Sequence, residues 1–584
     1  MRRIFLLAFA VILRPCPMRS GLKRPSLGVV LFVLFCLISV AHAQENSESS
    51  WQQLFAMERW EELVRVAATA APRTAEFDYE YGVALAHLQR WNEARESLQT
   101  GRRLAPRDKR FPLELAGVAF KQNNENQAIS LLHDALRLDP TDEYANEFLA
   151  TLYFLYGNLE AALKYWGHIE KPQIRLVSSD PPLRLRAALF DHALAFAPAS
   201  TLKLDELQAS NARLQALEIF PSYRFDLVAR PDGAFDTVFR GQEINGCGNT
   251  TIACLLRTFR GLPFQEIRPE YFNFRHSAMN VASLFRWDPD KRRVSLGIAS
   301  PLGMDPRWRF RIGIDGRNEN WNVVPSFTGP APSLLAMNLR REAIAAEISR
   351  LVGARWKWSL GAELSHRDFR NVVSPIILGA EVLRNGYQLK QTAGLRYELW
   401  QSPEKRIDIF SEGVSQIGRQ WPQTSSFEKL QGTMGAHWLP RSRGDDFATE
   451  WRLRGGKTFG PLPFDEFYML GLERDNDLWM RAHIGDRDGR KGSAPLGRNY
   501  FLSNWETDKN LFTNGFLTLK LGMFFDAGKI SSLSPGPRSQ FGPQQWLADT
   551  GLQLRVRVLG VGAGFSYGKD LRTGNNAFYV TALR

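Results

Sequence analysis

The chain has 584 residues, with Lys+Arg 74 against Asp+Glu 61 and a formal net charge of +13. Removing the six basic residues of the first 43 positions, which hold no acid, lowers +13 to +7, a mild charge interleaved with acids and aromatics that excludes the basic stripe of a nucleic-acid binder. Two of the four Cys residues also fall in that stretch, leaving too few thiols for a cysteine zinc site, and the length predicts several units.

In chain order, Arg19, Lys23 and Arg24 precede an apolar run from Leu27 to Val40, and Ala41-His42-Ala43 supplies small residues before Gln44. This predicts a signal peptide over 1–43 and a secreted mature chain, with Met18 as a second candidate start. Over 44–173, Pro72, Pro106 and Pro140 recur at intervals of 34, as do Ala94, Ala128 and Ala162, and Ala67, Gly101 and Ala135. Small residues let paired helices approach closely, and each Pro stops the second helix of a pair. The segment from Asp78 to Asp108, with Gly82, Leu85, Ala94, Leu98 and Pro106 in place, resembles the tetratricopeptide repeat. Such an arm implies a groove for periplasmic or client proteins, the alternative being a spacer.

Residues 174–245 predict a small α/β connector. A helical run, LDELQASNARLQALEIF, leads into two alternating runs joined by Pro231-Asp232-Gly233, which is turn chemistry for a hairpin. A helix, Phe220-Pro221 and a hairpin resemble the last part of a POTRA domain, which implies strand addition to an extended client. In the linker 246–290, Cys247 and Cys254 are a candidate disulfide in an oxidising compartment.

From Lys291 to Arg584 the chain reads as alternating strands. Trp308, Phe310, Ile312 and Ile314 alternate with Arg309, Arg311, Gly313 and Asp315, and Leu552, Leu554, Val556 and Val558 with Gln553, Arg555 and Arg557. A soluble sandwich alternates too, but a heavily charged second face, long and numerous strands and a secretory leader predict a transmembrane antiparallel β-barrel of about 16 strands. The predicted fold class is thus an α-helical repeat arm, a small α/β connector and a C-terminal outer-membrane barrel with the arm in the periplasm.

The last 120 residues carry a more specific pattern. LPFDEFYMLGLERDNDLWMRAH, then NYFLSNWE, then the F-x-D-x-G strand from Phe524 to Gly528 resemble the outer-membrane insertase and translocase superfamily, which includes the barrel-assembly subunit, two-partner secretion transporters and the bacterial surface antigen family. The resemblance implies an inward-folding loop whose tip is Arg481-Ala482-His483, where Ala482 and His483 replace the family's glycine and aromatic. Alternation puts Glu506 and Asp526 on the polar face of neighbouring strands, where the carboxylates repel unless a cation joins them. The guanidinium of Arg481 is the predicted tether. The terminal Arg584 departs from the aromatic ending usual in such barrels.

The resemblance implies outer-membrane protein assembly or translocation, with membrane lipid and client proteins as partners. The alternative is a polysaccharide-export porin or a structural or receptor barrel tethered through its arm. No H-E-x-x-H, G-x-S-x-G or phosphate-binding G-x-x-x-x-G-K occurs, so neither enzyme activity nor cofactor nor metal is expected. The glycine-rich, basic stretch 485–492 is expected to be a mobile loop.

Overall fold

The computed structural model describes residues 51–67, 74–324, 332–375, 378–379, 381–422, 424–441, 444–514, 516–531, 545–559 and 561–583. The leader, its cleavage site and Pro72 lie outside these, as does Arg584. The chain divides into two compact units between Ala145 and Asn146, within the helix Glu143–Leu155.

The first unit is a run of antiparallel helix pairs: Trp60–Ala67, then Ala75–His87 with Trp91–Leu104, then Arg110–Lys121 with Glu125–Leu138. Thr74 starts one helix by accepting the Phe77 N–H, and Asn124 starts another by accepting that of Gln127. The periodic small residues Ala67, Ala94, Gly101, Ala128 and Ala135 are all buried. Gly101 shows why: a Cβ there would lie 2.3 Å from the Phe111 ring. Glu80 is buried, and that burial, with repulsion from Glu76, pushes its carboxyl up to about 7.

The second unit continues with the helix Leu159–Trp166 and then a β-α-α-β-β module. Its strands are Ile174–Ser179, Tyr223–Ala229 and Phe235–Gly241, and its helices are Ala187–Ala193 and Leu204–Leu217. The last strand lies in the middle of the sheet, parallel to the first and antiparallel to the second. Leu207, Leu214 and Leu217 of the longer helix are buried with Phe225, Leu227 and Phe239 of the strands. The hairpin turns at Gly233 with φ 78°, where Asp232 accepts the Ala234 N–H. Polar contacts hold this module and the preceding helix to the large sheet that follows: Glu218 accepts from Arg309 at 3.0 Å and from Arg311 at 3.1 Å, and Glu404 accepts from the hydroxyl of Tyr165, in that helix, at 2.9 Å.

Cys247 and Cys254 are joined in a disulfide. It staples the helix Thr251–Phe259, whose Ile252, Leu255, Leu256 and Phe259 form an exposed apolar stripe. The large sheet begins before Lys291, in Glu266–Ile267 and Glu270–Phe274, and meanders antiparallel to Asn576–Leu583. Its eighteen strands include three of two residues each, Glu266–Ile267, Asp486–Arg487 and Arg490–Lys491. Among the described residues no ladder joins the last strand to the first. The sheet curls as a barrel with an unpaired seam, where the stapled helix packs between Val561–Asp570 and Glu266–Ile267.

Solvent polarity is inverted across this sheet. Ile312, Ile314, Ile344, Leu360, Leu430, Met523 and Leu552 are exposed on its outer face, whereas Arg286, Lys291, Arg367, Asp526 and Asp549 are buried within. Strands of 18 and 19 residues, such as Leu335–Val352 and Asp305–Val323, exceed the roughly 9–11 residues that a membrane crossing needs. An apolar outside around a charged inside suits a lipid-embedded barrel. No helix among the described residues is long and apolar enough to cross a membrane.

Candidate functional site

The strands Phe447–Phe459 and Asn499–Thr513 pair directly, so the intervening residues 460–498 leave the wall and return to the same place. This long loop lies inside the sheet and is fixed at three levels. Near its start, Asp465 accepts from Arg367 at 2.8 Å, and Glu466 accepts from Gln388 and Lys390 at 3.0 Å and from Lys429 at 3.1 Å. In its middle, Asp475 accepts from Arg293 at 2.6 Å, Arg286 at 2.9 Å and Lys491 at 3.1 Å. Lys491 also donates to Glu319 of the wall at 2.8 Å. The stretch 485–492 is therefore packed rather than a free loop, because a buried ammonium must be met by carboxylates.

At the tip the charges are reversed, loop cation against wall acids. Arg481 donates from Nε and Nη2 to the two oxygens of Asp526, at 2.9 and 2.7 Å, and its backbone N–H reaches Asp526 at 3.1 Å. Its Nη1 donates to Glu506 at 2.9 Å and to Gln553 at 3.2 Å. The structure thus brings Arg481, Glu506 and Asp526 together. The strands carrying the acids are neighbours, with Asn504 opposite Asp526 and Glu506 opposite Phe524. Arg555 donates to the second oxygen of Glu506 at 2.7 Å and pairs with Asp508, so neither carboxylate is left unmatched.

Phe524 and Gly528 shape the seat. The guanidinium of Arg481 lies 3.9 Å from the centre of the inward-facing Phe524 ring, a cation–π contact. A Cβ on Gly528 would meet the Met480 sulfur at 3.1 Å, so the glycine leaves room for the residue before the tip. Ala482 takes the place of a glycine without strain, since it is not among the residues with positive φ. Its N–H donates to Asp549 at 2.7 Å.

Sequence reasoning did not single out Asp549, Asp570 or Gly568. His483 Nδ1 lies 3.1 Å from Asp549 Oδ2, and its Nε2 lies 3.8 Å from Asp570 Oδ2. A Cβ on Gly568 would lie 2.6 Å from the Arg481 carbonyl oxygen, so only glycine admits the tip. The repeated signal that could have found these residues is an acid at one level of successive strands: Asn504, Asp526, Asp549 and Asp570 are consecutive registered partners in one row across the wall. Chemically the site is an electrostatic clamp that holds backbone against a wall.

No model of a protein family matches the chain, and no curated protein matches it in sequence. It is similar to solved structures. BamA from Haemophilus ducreyi lacking POTRA domains 1–3 is 11% identical over 70% of this chain and 85% of its own, with a TM-score of 0.40. CdiB from Escherichia coli is 13% identical over 70% of this chain and 76% of its own, with a TM-score of 0.46. CdiB from Acinetobacter baumannii is 12% identical over 80% of this chain and 86% of its own, with a TM-score of 0.42.

Proposed function

We propose that this chain is an outer-membrane protein that assembles or translocates other proteins, acting as a transporter or insertase and not as an enzyme. The helical arm is a periplasmic, tetratricopeptide-like dock for a client or partner. The β-α-α-β-β module is a POTRA-like relay whose edge strand Tyr223–Ala229, paired on one side by Phe235–Gly241, offers backbone groups to an extended chain. The barrel then templates or conducts that chain. The periplasm supplies no implied energy source, so client folding or insertion drives the step.

The observation that carries this reading is the clamped loop. A porin for a bulky polymer needs an open interior, whereas here Arg481 and the acids Asp465, Glu466 and Asp475 hold a long segment inside. The unpaired seam adds support, because free strand edges there can accept a client strand. Depletion of the protein followed by quantitative comparison of outer-membrane, periplasmic and secreted proteins is the test. Loss of particular barrel or secreted proteins, with their accumulation in the periplasm, is the expected result. An unchanged protein inventory with altered surface polysaccharide would overturn the reading in favour of an export porin.

A further inference from the structure

The carboxylates of one transverse row meet the loop tip in two ways. Arg481 satisfies Asp526, the second member of the row. The next two members, Asp549 and Asp570, are registered directly opposite each other across an antiparallel ladder, on the same inward face. Like charges so placed repel, and burial strengthens the repulsion. Both side chains are buried, and Arg481 and Arg555 are already shared among Glu506, Asp508 and Asp526. Asp549 and Asp570 are met instead by His483, which is itself 1% exposed.

We infer that His483, Asp549 and Asp570 form a site for one divalent cation of the zinc class, which locks the loop tip to the wall beside the Arg481 clamp. The spacing of the ligand atoms and one buried lone pair support it. One ligand atom from each residue falls within 4.8 Å of the others. Bonds of about 2.0–2.2 Å around a tetrahedral ion place its ligands roughly 3.4 Å apart, so small rotations of these side chains suffice. Asp549 Oδ1 is buried with no hydrogen-bond partner, a free acceptor in a place where a bare lone pair is costly.

The surroundings would hold the ligands in place. Asp549 Oδ2 accepts the Ala482 N–H, while Asp570 accepts the Arg572 N–H at 2.9 Å and the Thr573 hydroxyl at 2.5 Å. Such outer contacts orient metal-bound carboxylates. An imidazole with two carboxylates favours zinc-like ions over calcium or magnesium, which take oxygen ligands. The histidine that departs from the family's aromatic tip would thus be a ligand. This inference does not depend on the proposed function.

The test uses the full chain, purified in detergent without a polyhistidine tag, stripped with chelator and titrated with zinc chloride. One zinc ion per chain is expected for the unaltered protein, and loss of that ion in His483→Phe and Asp570→Asn. Thr573→Val, which leaves the ligands in place, is expected to weaken binding by about 10-fold. Heat-modifiable migration on gels reports whether each variant retains a folded barrel, and chelator is expected to lower the unfolding temperature of the unaltered chain but not of folded His483→Phe. An intact unaltered barrel that takes up no zinc, or folded His483→Phe binding as much as the unaltered chain, would overturn the site and leave His483 as an imidazole hydrogen-bonded to Asp549.

Discussion

The helical unit and the barrel use periodic sequence to opposite ends. In the helical unit the small apolar residues Ala94, Ala128 and Ala135 are fully buried, while charges such as Arg90 and Glu93 lie at the surface. In the barrel the apolar residues Ile314 and Leu360 face outward and buried charges share the interior with apolar clusters, Asp526 and Asp549 being fully enclosed. Period alone tells which residues share a face. Which face meets water is decided by whether the charged side can be satisfied when enclosed, and the loop 460–498 supplies the counter-charges that allow it.

That contrast can be broken most severely at the tip. Replacing Arg481 by Ala leaves Asp526 buried without its cation, while Glu506 keeps Arg555, and breaking such a buried pair costs about 3–5 kcal/mol. The expected outcome is a sharp fall in the temperature at which the barrel loses its heat-modifiable gel mobility, with Arg481→Lys intermediate because it keeps the charge and loses the fork. An unchanged transition would show that the clamp does not hold the loop.

The outer face gives the next largest effect. Ile314→Arg places a charge where lipid is expected, at a cost of about 2–4 kcal/mol near the bilayer midplane. Its yield of folded barrel in lipid vesicles should drop, while in a soluble sandwich a substitution at an exposed isoleucine would be nearly silent. In the helical unit, Gly101→Ala drives a methyl group against the buried Phe111 ring, and overpacking of this kind costs about 1–3 kcal/mol. Hydrogen exchange in Ala75–His87 through Glu125–Leu138 should accelerate while the barrel's heat-modifiable transition stays put.

The smallest effect sharpens the contrast by pH. The Glu80 carboxyl is raised from 4.5 to about 7 in the folded chain, so the folded state holds its proton more tightly than the unfolded one. The stability it contributes is complete below pH 4.5 and is lost as the pH rises towards 7. Protection of the same helices from hydrogen exchange should therefore decline over that window in the unaltered chain and vary less in Glu80→Gln. Equal pH dependence in both would assign the effect elsewhere.

Much of this was legible in the sequence because local rules set it. The 34-residue spacing located the small buried residues, Pro231-Asp232-Gly233 located a hairpin, and alternation put Glu506 and Asp526 on one face of adjacent strands. The seam helix was not legible, because Thr251–Phe259 is short and its exposed stripe reads like any amphipathic turn. The loop anchors were hidden for a different reason. Asp475 meets Arg286, and Lys491 meets Glu319, across 189 and 172 residues, so their pairing follows from strand register rather than from spacing. Asp549 and Asp570 were likewise ordinary lumen charges until the register aligned them with Asp526.

Conductance across a planar lipid bilayer tests most directly the claim that a clamped inward loop fills this barrel. The unaltered chain is predicted to give a small or intermittent current, and Arg481→Ala, where it still inserts, a larger one as the loop is freed. A large, steady current through the unaltered chain would contradict the account, because an open interior has no room for a segment held at Asp465, Asp475 and Arg481.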